Sequence, residues 1–132
     1  MINLFLVALM FLPPHEVRLE ISGIKKAAGN MLIAVYNTRE SYLDESKMIY
    51  SYVMRVNESG AMTFTIDLPD GEYALAFLHD VNEDGKLNKN LIGIPTESYG
   101  FSNNARGTFG PPSFEEAKVH IAAGDTLKIR LQ

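Results

Sequence analysis

Alternation of apolar and polar residues with a period of two, renewed in one short segment after another, is the feature that most narrows what this chain can become. In "EVRLEISG", Val17, Leu19 and Ile21 alternate with Arg18, Glu20 and Ser22. In "AMTFTIDL", Met62, Phe64, Ile66 and Leu68 alternate with Thr63, Thr65 and Asp67. A strand turns successive side chains to opposite faces, so this pattern makes a half-buried strand and does not suit a helix. "MIYSYVMRV" sets Tyr50, Tyr52, Met54 and Val56 on one face, and "EYALAFLH" sets Tyr73, Leu75 and Phe77 against the smaller Ala74 and Ala76. "NMLIAVYN", 30–37, is apolar almost throughout, as in a strand covered on both faces. "AKVHIAA" and "DTLKIRLQ" complete a set of seven.

Turn formers separate these segments: Ala28-Gly29-Asn30, Ser59-Gly60, Pro69-Asp70-Gly71 and Gly124-Asp125. "TRESYLDESK", 38–47, lacks the strand pattern and is expected to form a short surface helix. The pattern predicts an all-β chain, a single antiparallel β-sandwich of about seven strands over residues 13–132. "LPDGEY" adds detail, because a tyrosine two residues past a tight turn, at a strand start, suits a tyrosine corner at Tyr73. A chain of 132 residues that is 46% hydrophobic can hold such a core without help, and it has no cysteine. Disulfides, thiolate catalysis and cysteine-based metal sites are thereby excluded. A net charge of −4 without a basic patch argues against nucleic acid.

Residues 1–12, "MINLFLVALMFL", form an apolar run closed by Pro13-Pro14. The run is too short for a stable membrane span and is expected to be the hydrophobic segment of a signal peptide, giving a periplasmic or secreted protein. The alternative is an N-terminal core strand or helix. No Lys or Arg precedes the run and no small-residue cleavage site follows it.

The segment from Asp80 to Glu116 breaks the β pattern. Long connections inside compact domains are usually functional or disordered. Here Leu87, Leu91, Ile92, Ile94, Tyr99, Phe101, Phe109 and Phe114 would anchor it, so one long ordered loop is expected. "SFEE", with Ser113 and Glu116, matches a capping box for one helical turn. The loop opens on "DVNEDGKLN", close to a D-x-[DN]-x-[DN]-G calcium loop. Asp80, Asn82 and Asp84 supply oxygens at alternate positions, Lys86 a backbone carbonyl, and Asn88 falls at the ninth position. The twelfth position, where a bidentate Glu belongs, is Leu91, and Glu97 is the candidate replacement. The alternative is a turn whose side chains bond their own backbone.

Two further chemistries are open. His79 with Ser98 or Ser102 could make a hydrolytic pair, although no G-x-S-x-G elbow is present. His79, on the inward face of Phe77, is equally a hydrogen-bonded core histidine; His15, His79 and His120 lack metal-ligand spacing. The aromatic, amide and Arg106 content of Tyr99–Lys118 suits a carbohydrate, small-ligand or peptide surface, with His79, Tyr99, Ser102, Asn103 and Arg106 as contacts. It equally suits a loop packing its own rings.

The stretch "LPDGEYALAFLHDVNEDGKLNKNLIGIPTESYGFSNNARGTFGPPSFEEAKV" resembles the bacterial family known as domain of unknown function 2141. The resemblance rests on Gly-x-Tyr, His-Asp-x-Asn, Gly-Lys-Leu, Gly-x-Pro-x-Glu, Tyr-Gly-Phe-Ser-Asn-Asn and Gly-Pro-Pro-x-Phe in order, and extends over the whole mature length. It places the family's recurring positions on His79, Asp80, Asn82, Gly85, Leu87, Asn88, Gly93, Pro95, Glu97, Gly100, Phe101, Ser102, Asn103, Pro111 and Phe114. It implies an exported β-sandwich of the transthyretin-like and immunoglobulin-like group, and no established reaction. A hydroxyisourate-type hydrolase is disfavoured, since the Tyr-Arg-Gly-Ser terminus of that class is absent from "LKIRLQ". Three functions follow for testing: a non-enzymatic protein with a calcium or ligand site in the 80–116 loop, a periplasmic hydrolase, and a structural domain that docks to a partner protein.

Overall fold

The computed structural model describes residues 15–83 and 97–132. Eight strands form: β1 Glu16–Ile24, β2 Asn30–Tyr36, β3 Tyr50–Arg55, β4 Gly60–Asp67, β5 Gly71–Asp80, β6 Tyr99–Phe101, β7 Val119–Ile121 and β8 Thr126–Arg130. They make one sheet in the order β4-β1-β8 and a second in the order β3-β2-β5-β6, with β7 also on β5. The expected two-layer β architecture is present, with one strand more than the alternation gives.

The alternation sets the layers. Val17, Leu19 and Ile21 from β1, Phe64 and Ile66 from β4, and Ile129 from β8 face Met31, Ile33, Val35, Leu75 and Phe77 from the second sheet. Each large apolar side chain so buried contributes roughly 1.5–3 kcal/mol. Tyr50, Tyr52 and Met54 pack against this core, as their spacing predicts. The outer face of β2 and β5 is covered as well. Ala34, Tyr36, Ala74 and Ala76 meet Phe101, Phe114 and Ala117 in a second apolar cluster. Ala34 sits directly opposite Ala76, and the small side chains leave room for the rings above them.

Several details depart from the sequence reading. All strand pairs are antiparallel except β1 with β8, which run parallel. The chain reaches β8 from β7 in the other sheet, so no hairpin dictates its direction. The helix expected over 38–47 shrinks to a 3-10 turn at Glu45–Lys47. Leu43 has a φ of 63°, which a continuous helix cannot contain. The strand expected from Ala117 starts at Val119, because Phe114–Ala117 forms one helical turn, α1. α1 carries the expected capping box: Glu116 N–H donates to Ser113 Oγ at 3.1 Å, and Ser113 N–H to Glu116 Oε1 at 2.9 Å. Tyr73 forms the expected corner, its hydroxyl donating to Pro69 O at 2.8 Å.

The two long sides of the sandwich are finished differently. On one, Gln132 N–H donates to Tyr99 O at 2.8 Å and Tyr99 N–H to Gln132 O at 3.2 Å, joining the end of the chain to β6. Asn104 strengthens this side, accepting from Arg130 N–H at 3.0 Å and donating to Lys128 O at 3.2 Å. On the other side, β3 and β4 are the terminal strands of their sheets, and Tyr52 Oη donates across to Asp67 O at 2.5 Å.

Candidate functional site

The candidate residues gather around the C-terminal end and outer edge of β5. Two short strands share that edge: β7 takes Gly71–Tyr73 and β6 takes Ala76–Leu78. Leu75 lies in the gap between them. Its N–H would lack a strand partner, and Ser102 supplies one: Ser102 Oγ accepts from Leu75 N–H at 2.9 Å and donates to Ala117 O at 2.5 Å. Ser102 is fully buried. It replaces a missing strand residue and links β5 to α1.

His79 is also buried, 1% exposed, and its Nε2 donates to Ala28 O at 2.7 Å. The ring therefore ties the β1–β2 turn to β5. Gly29 completes the tie with a φ of 68°, and a Cβ there would collide with Asp80 O. Ser98 is buried, and its carbonyl accepts from His79 N–H at 2.8 Å. The hydrolytic pairing of His79 with Ser102 is not assembled. Ser102 lies level with Leu75, four residues along β5, or roughly 13 Å at about 3.3 Å per residue. The Nε2 that a general base would offer is held by Ala28 O.

Asp80 is fully buried at the end of β5, Asn82 is exposed, and Glu97 is half-buried just before β6. Continuing the β5–β6 register past Leu78–Tyr99 and His79–Ser98 brings Glu97 level with Asp80. Asp84, Lys86 and Asn88, with the anchors Leu87, Leu91, Ile92 and Ile94, lie outside the described residues, as do residues 1–12. Among the described residues no group of three His, Asp or Glu side chains could hold a metal. No described helix is long and apolar enough to cross a membrane.

Asn103 is exposed, with a φ of 62°, and its Nδ2 donates to Glu116 O at 3.0 Å. Tyr99 and Arg106 come together at a cleft of about 220 Å³, lined also by Phe101, Gly107, Thr108, Gly110, Pro111, Pro112 and Gln132. The Tyr99 ring is half-buried and meets Phe101 edge to face at 6.1 Å. Arg106 is exposed and makes no ion pair with any described residue. Among the described residues no Asp or Glu lines the cleft. The nearby carboxylates of α1 are engaged: Glu115 pairs with Arg39, and Glu116 sits in the capping box, whose hydrogen bonds from Ser113 hold its carboxyl below the usual range.

Beneath this region Tyr36, Tyr42 and Phe114 form an edge-to-face chain, and Tyr42 Oη donates to Pro112 O at 2.8 Å. Burial first, then the charges of Glu45 and Asp44, pushes Tyr36 up to about 12. Tyr42 is raised by burial, then by Tyr36 and Glu116.

The family model for an uncharacterized protein conserved in bacteria, DUF2141, matches residues 19–129. The chain belongs to the DUF2141 family. That match takes in all eight strands in whole or part and every described candidate residue, so in this DUF2141 protein the β5 end and the cleft, apart from Gln132, are part of the family domain. A search of curated proteins finds no match. A search of solved structures finds none either.

The resemblance drawn from the sequence thus holds for family and for β architecture. Asn104 was missed. Its neighbour Asn103 attracted the ligand reading, yet Asn104 carries the bonds from the turn after β6 to β8. The Asn-Asn pair was the available signal, since Asn tolerates the left-handed backbone that both residues adopt.

Proposed function

We propose that this DUF2141 protein is an exported, non-enzymatic binding module whose ligand site is the cleft beside Tyr99 and Arg106. One contrast carries the reading. Two of the side chains that could do chemistry, His79 and Ser102, are buried and spent on backbone groups, whereas Arg106 is exposed at a concave surface with no described ion-pair partner. Ligand sites are concave and carry a few polar groups that orient the occupant. Export is supported by the apolar segment 1–12 and its proline stop.

The test is a fragment screen followed by amide chemical shifts on the labelled chain. Saturable shifts clustered at Tyr99, Arg106–Thr108 and Gln132 are expected; ligands that map elsewhere, or none at all, defeat the reading. Cell fractionation checks export, which is refuted by intact protein confined to the cytosol.

A second reading concerns the start of the same loop. A calcium ion held by Asp80, Asn82, Asp84, the Lys86 carbonyl, Asn88 and Glu97 is favoured by the register that sets Glu97 level with Asp80. Without a twelfth-position Glu, its affinity belongs at the weak, extracellular end, about 10⁻⁴–10⁻³ M.

A further inference from the structure

We propose that the open edge of β3 is a self-association surface, on which a second copy of this chain lays its own β3 antiparallel about a two-fold axis at Val53. β3 ends its sheet, and among the described residues no strand lies on its far side. Val56 N–H donates to Gly29 O at 3.0 Å, which makes this a hydrogen-bonded pair of the β2–β3 ladder. Alternation then turns the backbone groups of Tyr52 and Met54 toward β2, and those of Ser51, Val53 and Arg55 outward. Such a row of outward N–H and C=O groups is a template for an added strand.

Edge strands are usually blunted by prolines, bulges or charges. β3 contains no proline, and its pairing with β2 runs without a register shift. Its centre carries Val53, 65% exposed. Beside Val53 lies a mainly apolar groove lined by Leu32, Met48 and Tyr52, and also by Glu45 and Ser51.

Charge selects the occupant. In an antiparallel pair centred on Val53, each Val53 lies opposite its own copy, and each Arg55 lies opposite Ser51 of the other copy. Ser51 shares its groove with Glu45, so each Arg55 arrives beside the other copy's Glu45, and the two-fold makes the contact twice. Glu45 is exposed and makes no ion pair with any described residue. Arg55 meets Glu83 through Nη1, and a guanidinium has donors for a second acid. A foreign strand without an acid at that point leaves Arg55 unmatched, so the charge that deters a stray strand admits a copy.

The experiment is sedimentation of the purified full chain over a concentration series, with amide exchange at its two ends. A monomer–dimer equilibrium is expected, with slower exchange in the dimer at Ser51, Val53 and Arg55, and little change at Tyr52 and Met54, already bonded to β2. Arg55→Glu sets acid against Glu45 in both contacts and should weaken the dimer about tenfold, on the scale of two exposed ion pairs. Combining it with Glu45→Arg exchanges the charges and should restore the dimer. Val53→Lys places two ammonium groups face to face and should leave monomer. All three side chains are exposed, so the variants keep the fold. Monomer at every concentration overturns the proposal, as does a dimer whose Ser51, Val53 and Arg55 amides exchange no more slowly. A dimer that Arg55→Glu weakens and the charge exchange does not restore overturns the two-fold register.

Discussion

Replacing Ser102 by Ala separates a structural serine from a chemical one. The substitution removes one oxygen from a fully buried position and strips a partner from two backbone groups, Leu75 N–H at 2.9 Å and Ala117 O at 2.5 Å. A buried donor or acceptor left without its partner costs about 1–3 kcal/mol, so the two together should cost about 2–6 kcal/mol. Domains of this size are stable by about 5–15 kcal/mol in all, which makes the loss a large share. At roughly 4 °C per kcal/mol the melting midpoint should fall by about 8–24 °C. The assay is urea unfolding of wild type and Ser102→Ala, with amide exchange at Leu75 as the local probe. A lower urea midpoint at unchanged slope, with faster exchange at Leu75, is expected. A stability loss under about 0.5 kcal/mol refutes the argument. Ester hydrolysis by the wild type that vanishes in a fully stable Ser102→Ala would restore the hydrolase reading.

Removing the corner hydroxyl in Tyr73→Phe leaves Pro69 O without its 2.8 Å donor and should cost about 1 kcal/mol by urea unfolding; no loss would make the corner ornamental. Alkali should act through Tyr36 and Tyr42. Their ionisation is raised in the fold by burial, so their contribution is intact below the unfolded value of about 10 and is lost as pH climbs toward the 12 of Tyr36. A phenolate absorbance titration should show these two of the six tyrosines ionising last, together with loss of structure, and early ionisation of all six contradicts it. If calcium occupies the Asp80–Asn88 turn, a concentration about ten times its Kd adds roughly 1.4 kcal/mol, or about 5 °C in midpoint over EDTA. Asp84→Ala should abolish the gain, and an unchanged wild-type midpoint retires calcium.

How far the sequence could be read depended on how local each cause was. The alternation in β1 and β4 is a property of consecutive residues, so their faces were visible before any partner was known. Tyr73 and the Ser113–Glu116 box are likewise defined within six residues. β6 was not visible, because three residues hold no period and Tyr99–Phe101 is extended only by virtue of lying between β5 and Gln132. The parallel β1–β8 pair was hidden for a similar reason, since strand direction follows the path between sheets. Ser102 was noticed as a hydrolytic or ligand-contacting serine, and its part in the sheet was not. Its role depends on a gap in the pairing of β5, twenty-seven residues away, and no linear pattern announces such a gap. Arg106 and Tyr99 were recognisable as residue types suited to binding, but their meeting at one cleft needed the fold.

The unequal finishing of the two long sides gives the molecule a direction in which to yield. Where Gln132 and Asn104 lace β8 to β6 there is a spine. Where β3 and β4 end their sheets, the crossing bond from Tyr52 to Asp67 is a clasp. A partial opening is expected to start at the clasp, and amide exchange should then be faster in β3, beneath Tyr50, Tyr52 and Met54, than in β6. The cleft beside Tyr99 is bound into the spine through the paired Tyr99 and Gln132 backbones. The clasp side is where a protease or a neighbouring strand first finds backbone to grip, with Arg55 and Asp67 the charges standing guard over those two edges.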